Sequence, residues 1–319
     1  MSKIEFGDCR DTMRQWAAAG IKAQTCVTSP PYYGLRDYGH EGQIGLEETP
    51  EEYIKAMVEV FRCVWDVLED DGTLWLNIGD SYYNYRPGKG QALVKQTVAN
   101  NDQDLPQTCA RRGNKLDGLK EKDLIGIPWM LAFALRADGW YLRQDIIWHK
   151  PNPMPESVQD RCTKAHEYIF LMSKSQKYYY DAEAIKEEAN EDSGFAKQRA
   201  KGIDTWKYNN TLERIAQTGQ TIESSTFGEI GKRNKRSVWT VTTKPYAGAH
   251  FAVFPSDLIE PCILAGAPIG GIVLDPFMGS GTTAQVAQNL GRQYLGCELN
   301  PEYEALQNKR LSQLSLELD

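Results

Sequence analysis

Several features that mark membrane and metal-binding proteins are scarce in this sequence. No run of about 18 apolar residues occurs, so the sequence predicts no membrane-spanning helix. The first residues hold no long apolar stretch, and we expect no signal peptide. Only four histidines occur, and none stands in the His-x-x-x-His spacing that is typical of a metal site, so we expect no bound metal.

Cysteine pairs of the kind that bind zinc are also lacking. The chain has seven cysteines, and none belongs to a Cys-x-x-Cys pair, which argues against a structural zinc site. An odd number of dispersed cysteines is typical of reduced thiols, and we therefore expect a cytoplasmic protein. The net charge of −7 argues against a protein that coats nucleic acid without specificity, although it leaves room for local basic patches.

The composition and the apolar spacing predict an α/β fold. Hydrophobic residues make up 41% of the chain and charged residues 25%, which is typical of globular domains and argues against wholesale disorder. Strands and helices alternate, and this order predicts a mostly parallel, twisted sheet with helices on both faces. The predicted elements are a strand over 3–6, a helix over 11–19, a strand over 23–28, a helix from 50 that stops at Asp71-Gly72, a strand over 73–78, a helix over 127–137, a strand over 140–148, a hairpin of strands over 167–172 and 177–180, a helix over 256–265, a strand over 271–274, a helix over 283–290, a strand over 293–297 and a final helix from 301.

A glycine-rich turn follows the predicted strand 271–274. Residues 275–283 read Asp-Pro-Phe-Met-Gly-Ser-Gly-Thr-Thr, in which glycine lets the backbone turn sharply and the following helix N-terminus can bind a carboxylate. Thr282 stands where a phosphate-binding P-loop needs lysine, and Ala284 stands where a dinucleotide fingerprint needs its third glycine. Glu298 ends the next predicted strand, where an acidic side chain can accept hydrogen bonds from ribose hydroxyls. We expect a nucleoside-cofactor pocket, with a glycine turn without ligand as the alternative.

A second motif, Thr-Ser-Pro-Pro-Tyr at residues 28–32, also follows a predicted strand directly. The exocyclic amino group of a base is a poor nucleophile because its lone pair is delocalised into the ring. The Ser29 hydroxyl and the Pro30 carbonyl could accept its two hydrogens and aim the lone pair at an electrophile. Pro30 and Pro31 stiffen the loop, and Tyr32 offers a flat face for stacking an extruded base. A polyproline turn or docking segment is the alternative.

Together the two motifs resemble those of the amino-group DNA methyltransferases. Ser-Pro-Pro-Tyr precedes Asp-Pro-Phe-x-Gly-Ser-Gly here, which is the order of the beta group of that family. The resemblance implies a Rossmann-like enzyme that transfers a methyl group from S-adenosyl-L-methionine to the exocyclic amino group of a flipped base. It also implies double-stranded DNA as substrate, a bacterial or phage origin, a restriction endonuclease as a possible functional partner, and a monomer or homodimer.

The same resemblance implies roles for individual residues. Ser29, Pro30, Pro31 and Tyr32 would form the catalytic loop. Asp8 would meet the adenine amino group of the cofactor, Glu298 would take the ribose hydroxyls, and the segment 250–255 would close over the methionine moiety. The implied cofactor-binding residues are Asp8, Cys9, His250, Phe251, Asp275, Phe277, Gly279, Ser280, Gly281, Thr282, Thr283, Glu298 and Leu299. Asp80, at the end of a predicted strand near the catalytic loop, receives no role.

Two polar segments are predicted to contact DNA. Residues 84–122 hold eight Lys or Arg against four Asp or Glu and are predicted to be a mobile insertion that folds over the DNA. Residues 182–236 lie between the two motifs, where the beta group carries its target-recognition region. Residues 1–181 and 237–319 would then form the catalytic and cofactor-binding domain. The predicted DNA-binding residues are Arg36, Arg111, Arg112, Lys232, Arg233, Lys235 and Arg236. A solvated charged loop is the alternative for these segments.

The first residue of the catalytic loop bears on the target base. Serine at this position resembles the cytosine-N4 enzymes of the family, whereas aspartate resembles the adenine-N6 enzymes. We therefore expect methylation of cytosine N4, with adenine N6 as the alternative. A non-catalytic DNA-binding protein that keeps the fold is an alternative of a different class, and the two intact motifs argue against it.

Overall fold

In a computed structural model, the chain folds into two compact units. The first unit comprises Met1–Asp181 and Ser237–Asp319, and the second comprises Ala182–Arg236. The role of the second unit in target recognition stays a prediction. The structure describes residues 1–35, 39–40, 42–83, 118–188, 232–243 and 254–312.

The first unit alternates strands and helices along the chain. Its strands are β1 (Lys3–Phe6), β2 (Ala23–Thr28), β3 (Leu68–Ile78), β4 (Tyr141–His149), β5 (His166–Ser173), β8 (Val238–Thr240), β9 (Ile272–Asp275) and β10 (Gln293–Glu298). Its helices are α1 (Cys9–Ala18), α2 (Pro50–Val67), α3 (Ile127–Ala137), α4 (Ser256–Gly266), α5 (Thr282–Asn289) and α6 (Glu304–Ser312), the last preceded by a 3-10 turn at Pro301–Tyr303. The described ends of the second unit carry a short antiparallel pair, β6 (Glu187–Glu188) and β7 (Lys232–Arg233).

The eight strands of the first unit form one mostly parallel sheet in the order β1-β10-β9-β2-β3-β5-β4-β8. Only β5 runs against its neighbours, being antiparallel to both β3 and β4. Consecutive residues of β2, β3, β9 and β10 are buried, so both faces of these strands are covered. The predicted α/β fold with a mostly parallel sheet is therefore confirmed.

The order of the central strands places the two motifs side by side. β2 pairs in parallel with β9, with Cys26 opposite Leu274, although the two residues lie far apart in the sequence. The segments that leave these strands, residues 28–32 and 275–283, therefore start at the same edge of the sheet. Ligands of doubly wound α/β folds bind at this carboxyl edge, where the strand order reverses.

Helix α2 shows how local sequence fixes an element of this core. Thr49 accepts a hydrogen bond from the Glu52 amide, the Glu52 side chain accepts from the Thr49 amide, and Pro50 occupies the first turn. The apolar face of the helix is buried. The helix ends at Val67, before the predicted stop at Asp71-Gly72, because β3 already begins at the next residue.

The predicted hairpin of residues 167–172 with 177–180 is wrong. Both edges of β5 are taken by β3 and β4, so no edge is left for a following strand. Residues 177–180 instead run as irregular chain, in which the Tyr179 amide donates to the Asp71 carbonyl and the Tyr180 ring stacks on Trp75.

Among the helices that the structure describes, none is long and apolar enough to cross a membrane.

Asp80, which the sequence left without a role, caps helix α3 from a distant segment. Its Oδ1 accepts the amides of Gly126 at 3.0 Å and Ile127 at 3.1 Å, and also the Ser81 amide at 3.0 Å. The Asp80 carbonyl accepts a hydrogen bond from Lys164 Nζ. A carboxylate at a helix N-terminus satisfies orphan amides and interacts favourably with the helix dipole. Asp80 therefore fixes the start of α3 against the end of β3.

Replacing Asp80 by alanine should lower the free energy of unfolding by about 1 kcal/mol, because the amides at the start of α3 lose their acceptor. Denaturant unfolding of the wild type and the variant measures the difference. Asp80→Asn retains one acceptor oxygen and should recover part of the loss. Equal stability of Asp80→Ala and the wild type would show that this cap contributes nothing.

Candidate active site

A cavity of about 1050 Å³ lies in the first unit and is lined by both motifs. The loop after β2 and the glycine turn after β9 both contribute to it, as do the ends of β10 and β4. Of the predicted catalytic and cofactor-binding residues, its lining includes Asp8, Cys9, Ser29, Pro30, Pro31, Tyr32, Asp275, Phe277, Gly279, Ser280, Thr282, Glu298 and Leu299. Gly281 and Thr283 do not belong to this lining, and His250 and Phe251 lie outside the described residues.

Asp275 joins the two motifs through its buried carboxylate. Its Oδ1 accepts the Thr28 hydroxyl at 2.6 Å and the Phe277 amide at 3.0 Å, and its Oδ2 accepts the Thr283 hydroxyl at 2.6 Å. Burial raises the pKa of Asp275 to about 6, although these hydrogen bonds lower it. Because both oxygens have protein donors, the carboxylate ties the end of β2 to the first turn of α5.

The glycine turn adopts a backbone that favours glycine at two positions. Gly279 has φ +56° and Gly281 has φ +86°, so a side chain at either position would be strained. Glu298 braces this turn, because its Oε2 accepts the Gly279 amide at 2.7 Å and its Oε1 accepts the Asn300 amide at 2.8 Å. Burial raises the pKa of Glu298, and the backbone hydrogen bonds oppose that shift. The carboxylate thus reaches the cavity in a fixed orientation.

Ser280 carries the observation that favours a ligand at this turn. Within the part of the chain that the structure describes, its Oγ is the one buried side-chain nitrogen or oxygen atom without a hydrogen-bond partner. A buried polar atom without a hydrogen-bond partner destabilises the folded state unless a ligand or solvent supplies one. Ser280 lines the cavity, where a ligand could do so. An orphaned hydroxyl, a carboxylate at a strand end and a tight glycine turn are together the donors and acceptors that a nucleoside with an amino-acid tail requires.

Asp8 and Cys9 form the neighbouring wall. The Asp8 carboxylate caps helix α1 by accepting the Arg10 amide at 2.8 Å, and it also pairs with the Arg10 guanidinium. The hydrogen bond from the Arg10 guanidinium lowers the pKa of Asp8, so the acceptor stays ionised. Burial raises the pKa of the Cys9 thiol to about 12, which keeps it neutral. Contact of these two residues with the cofactor stays a prediction.

The catalytic loop is held in place by side chains from other elements. The Tyr53 hydroxyl of α2 donates to the Pro31 carbonyl at 2.9 Å. The Tyr32 hydroxyl donates to Glu167 Oε2 at 2.8 Å, and a Cβ added at Gly79 would lie only 2.7 Å from the Tyr32 ring. In the described chain no donor reaches the carbonyl of Pro30, which therefore remains available as an acceptor.

Sequence reasoning missed three polar residues beside this loop. Glu167 is the second residue of β5, Lys150 follows β4, and the two side chains form an ion pair. Asn77, near the end of β3, places its Oδ1 3.3 Å from the Tyr32 hydroxyl and donates to the Tyr168 carbonyl at 3.1 Å. The only sequence signal was the position of each residue at a strand end, which gains meaning once the strand pairing is known.

The predicted DNA-binding residues are described only in part. Within the second unit, Arg233 and Arg236 both donate to Glu187 Oε1, at 2.9 Å and 2.6 Å. In the β6–β7 pair, Lys232 stands opposite Glu188. Contact of Lys232, Arg233, Lys235 and Arg236 with DNA stays a prediction, and Arg36, Arg111 and Arg112 lie outside the described residues. Among the residues with described positions, no group of three His, Cys, Asp or Glu could hold a metal ion.

Similarity to known proteins identifies the family to which this chain belongs. A family model described as DNA methylase, which covers N6 and N4 methylases, matches residues 23–309. The chain belongs to the amino DNA methyltransferase family. The Type II methyltransferase M.SmaI of Serratia marcescens is 46% identical to it over 312 residues, which cover 97% of this chain and 90% of that protein.

Two solved structures share the fold of this methyltransferase. The PvuII DNA methyltransferase, titled cytosine-N4-specific, superposes with a TM-score of 0.59 at 16% identity over 97% of this chain and 85% of its own. The complex of M1.HpyAVI with S-adenosylmethionine has a TM-score of 0.56 at 16% identity, over 98% and 99% of the two chains. The family resemblance, the fold and the assignment as a DNA methyltransferase are thereby confirmed, and the cofactor named for the second structure is that of M1.HpyAVI.

The buried carboxylate of Asp275 predicts a pH-dependent contribution to stability. Its pKa of about 6 in the folded protein exceeds the ordinary value of 3.8, so the folded state holds the proton more tightly than the unfolded state. The stability that this group contributes is full below the ordinary pKa and is lost as the pH rises through about 6. The free energy of unfolding of the wild type relative to Asp275→Asn should therefore fall by about 2 kcal/mol between about pH 4 and pH 7.

Chemical denaturation of both proteins across this pH range measures the difference, in which the titration of all other groups cancels. The Asn side chain lacks the titrating proton and sets the baseline, including the hydrogen bond it loses with Thr28 or Thr283. A stability difference that does not vary with pH would contradict the raised pKa of Asp275.

Proposed function

We propose that this methyltransferase transfers a methyl group to the N4 amino group of cytosine in double-stranded DNA, after the base has been extruded into the cavity. The observation that carries the proposal is that Ser29 and the braced turn at Gly279 line one continuous cavity. A cavity of about 1050 Å³ is at the upper end of the size range of ligand pockets, as expected for a site that holds a cofactor and a base together.

Ser29 and Pro30 would hold the target amino group. The Ser29 hydroxyl and the Pro30 carbonyl each accept one of its two hydrogens, which makes the nitrogen pyramidal and turns its lone pair toward the cofactor side of the cavity. The ring of each proline, which fixes φ, and the hydrogen bond from Tyr53 to the Pro31 carbonyl keep these acceptors from rearranging. The rate then comes mainly from positioning and from preorganised dipoles.

Tyr32 would stack on the extruded base. Its hydroxyl is fixed by Glu167 at 2.8 Å, and its ring edge lies against Gly79, so the orientation of the ring is set before DNA binds. A preset aromatic surface reduces the ordering cost of binding a flipped base.

The opposite side of the cavity would hold S-adenosyl-L-methionine. Glu298 is placed to accept the ribose hydroxyls, Ser280 to bond the methionine end through its free hydroxyl, and Asp8 to accept the adenine amino group. When bound, the cofactor supplies an electrophilic methyl group on a sulfonium. The residues of the glycine turn bind and orient it, and they need no covalent chemistry of their own.

Ser29 itself supports cytosine over adenine as the target. The family resemblance associates serine at this position with cytosine-N4 enzymes. A neutral hydroxyl is a weaker acceptor than a carboxylate, so the geometry of the loop must supply the precision that charge does not. We further infer that residues 182–236 read the DNA sequence, that the enzyme acts as a monomer or homodimer, and that a restriction endonuclease of the same specificity accompanies it, as the Type II name of its relative suggests.

Ser29→Ala should reduce the single-turnover rate of methyl transfer by about 10²- to 10³-fold, because one of the two acceptors of the amino group is lost. The dissociation constant of S-adenosyl-L-methionine should stay nearly unchanged, since Ser280 lies in the other motif and Glu298 lies at the end of β10. Calorimetry and a labelled-methyl assay measure the two quantities. An equal loss of cofactor affinity and rate would mean that Ser29 has a structural role.

The target base can be read directly from product DNA. Mixed-sequence duplex DNA is incubated with the enzyme and S-adenosyl-L-methionine, digested to nucleosides and analysed by mass spectrometry, with Ser29→Ala as the matched control. The proposal predicts N4-methylcytosine. N6-methyladenine would instead support the adenine alternative, and the absence of both products would contradict methyl transfer to an amino group of DNA.

A further inference from the structure

Four side chains form a continuous polar chain that begins at the catalytic serine. The Ser29 Oγ lies 3.4 Å from the Tyr32 hydroxyl oxygen, which lies 2.8 Å from Glu167 Oε2. The other carboxylate oxygen of Glu167 accepts Lys150 Nζ. The strand pairing brings this chain together, because β5 is reversed and its first residues reach the sheet edge where β2, β3 and β4 end.

The single proton of the Tyr32 hydroxyl has a strongly preferred acceptor. Glu167 Oε2 is a carboxylate oxygen at 2.8 Å, whereas Asn77 Oδ1 is a neutral amide oxygen at 3.3 Å. Hydrogen bonds to ionised acceptors are roughly twice as strong as neutral ones, so Tyr32 donates to Glu167. Burial raises the pKa of Tyr32 well above its usual range, and the charge of Glu167 raises it further, so the donor keeps its proton.

This direction decides which way the Ser29 hydroxyl points. Because the Tyr32 proton faces Glu167, a lone pair of the Tyr32 oxygen faces Ser29, and the serine proton is directed toward Tyr32. The Ser29 lone pairs then remain free to accept from an amino group. In the reverse direction Ser29 would donate to the amino nitrogen and would occupy the lone pair that must attack the methyl group.

We propose that Glu167 is a positioning residue that fixes the direction of the Ser29 hydroxyl through Tyr32, and that Lys150 holds Glu167 in place. This inference rests on the proposed role of Ser29 as an acceptor. Glu167 itself would not touch the substrate. Its effect reaches the reacting nitrogen only through the two hydroxyl groups between them.

The surroundings of Glu167 hold its carboxylate in place. The side chains of Lys150 and Glu167 are only 18% and 16% exposed, so the ion pair is largely shielded from solvent. The Lys150 ammonium also lies 4.2 Å from the centre of the Trp148 ring, and the Trp148 indole donates to the Val241 carbonyl at 2.8 Å. When one partner of a shielded ion pair is neutralised, the protein loses much more stability than when the pair is exposed.

Glu167→Gln tests the direction of the chain with almost no change of shape. Lys150 can bond only the amide oxygen of the new side chain, so the amide NH₂ would face Tyr32 and would donate to it. The remaining acceptors for the Tyr32 proton are then Ser29 Oγ and Asn77 Oδ1, both neutral and at similar distances, so the wild-type direction of the serine proton is no longer enforced. We expect the single-turnover rate of methyl transfer to fall several-fold, with an unchanged dissociation constant of S-adenosyl-L-methionine.

A double-mutant cycle with Tyr32→Phe separates this relay from a general structural effect. Without the Tyr32 hydroxyl, Glu167 has no path to Ser29, so Glu167→Gln should cause no further loss of rate in the Tyr32→Phe background. An additive loss in the double variant would overturn the inference, as would a normal rate for Glu167→Gln alone. If Glu167→Gln is unstable, the same cycle with Glu167→Leu combined with Lys150→Met removes the carboxylate acceptor of Tyr32 without leaving an unpaired lysine.

Two controls keep the outcomes distinct. Asp138→Asn breaks the ion pair with Arg62 on the surface of α2 and α3, away from the cavity lining, and should leave the rate unchanged. Ser29→Ala is measured beside the cycle. Retained activity of Ser29→Ala would refute the proposed function, whereas a collapsed rate in Ser29→Ala with a normal rate in Glu167→Gln would refute only the role of Glu167.

Discussion

The hydrogen bonds to the buried carboxylate of Asp275 are the constraint on which the active site depends. Thr28 ends the strand that leads into the catalytic loop, and Thr283 lies in the first turn of the helix that follows the glycine turn. One carboxylate accepts from both, so the two motifs are fixed relative to each other before any ligand binds. Methyl transfer requires this, because its rate depends on the distance and alignment of the two reacting groups.

The reversed strand of the sheet gives the site its second support. In an all-parallel sheet the first residue of a strand lies at the edge opposite to the ligand site. Because β5 runs against β3 and β4, its first residues share an edge with the ends of those strands. Glu167 is thereby brought to Tyr32, and Lys150 to Glu167. Strand β2 thus leads into the loop that carries the acceptors for the substrate. Strands β4 and β5 position the side chains that orient them.

Local motifs were predictable from the sequence, whereas contacts between distant segments were not. The glycine turn and the Ser-Pro-Pro-Tyr loop are each a single continuous segment, and their residue types indicate the chemistry they can support. Both could therefore be predicted from the sequence, together with the fold. The interaction between Lys150 and Glu167 depends on the register of two strands, and its link to Tyr32 depends on the sheet order. The hairpin assigned to residues 177–180 failed for the same reason, since the sequence does not show that both edges of β5 are already paired.

A crystal structure of the enzyme with S-adenosylhomocysteine and a duplex that it methylates would show where the target amino group and the cofactor bind. We predict an extruded base stacked on Tyr32, with its exocyclic amino group within hydrogen-bond distance of both Ser29 Oγ and the Pro30 carbonyl. The cofactor sulfur should face that nitrogen from the side of the glycine turn. An extruded base whose amino group contacts neither acceptor, or a cofactor bound away from Glu298, would contradict this prediction.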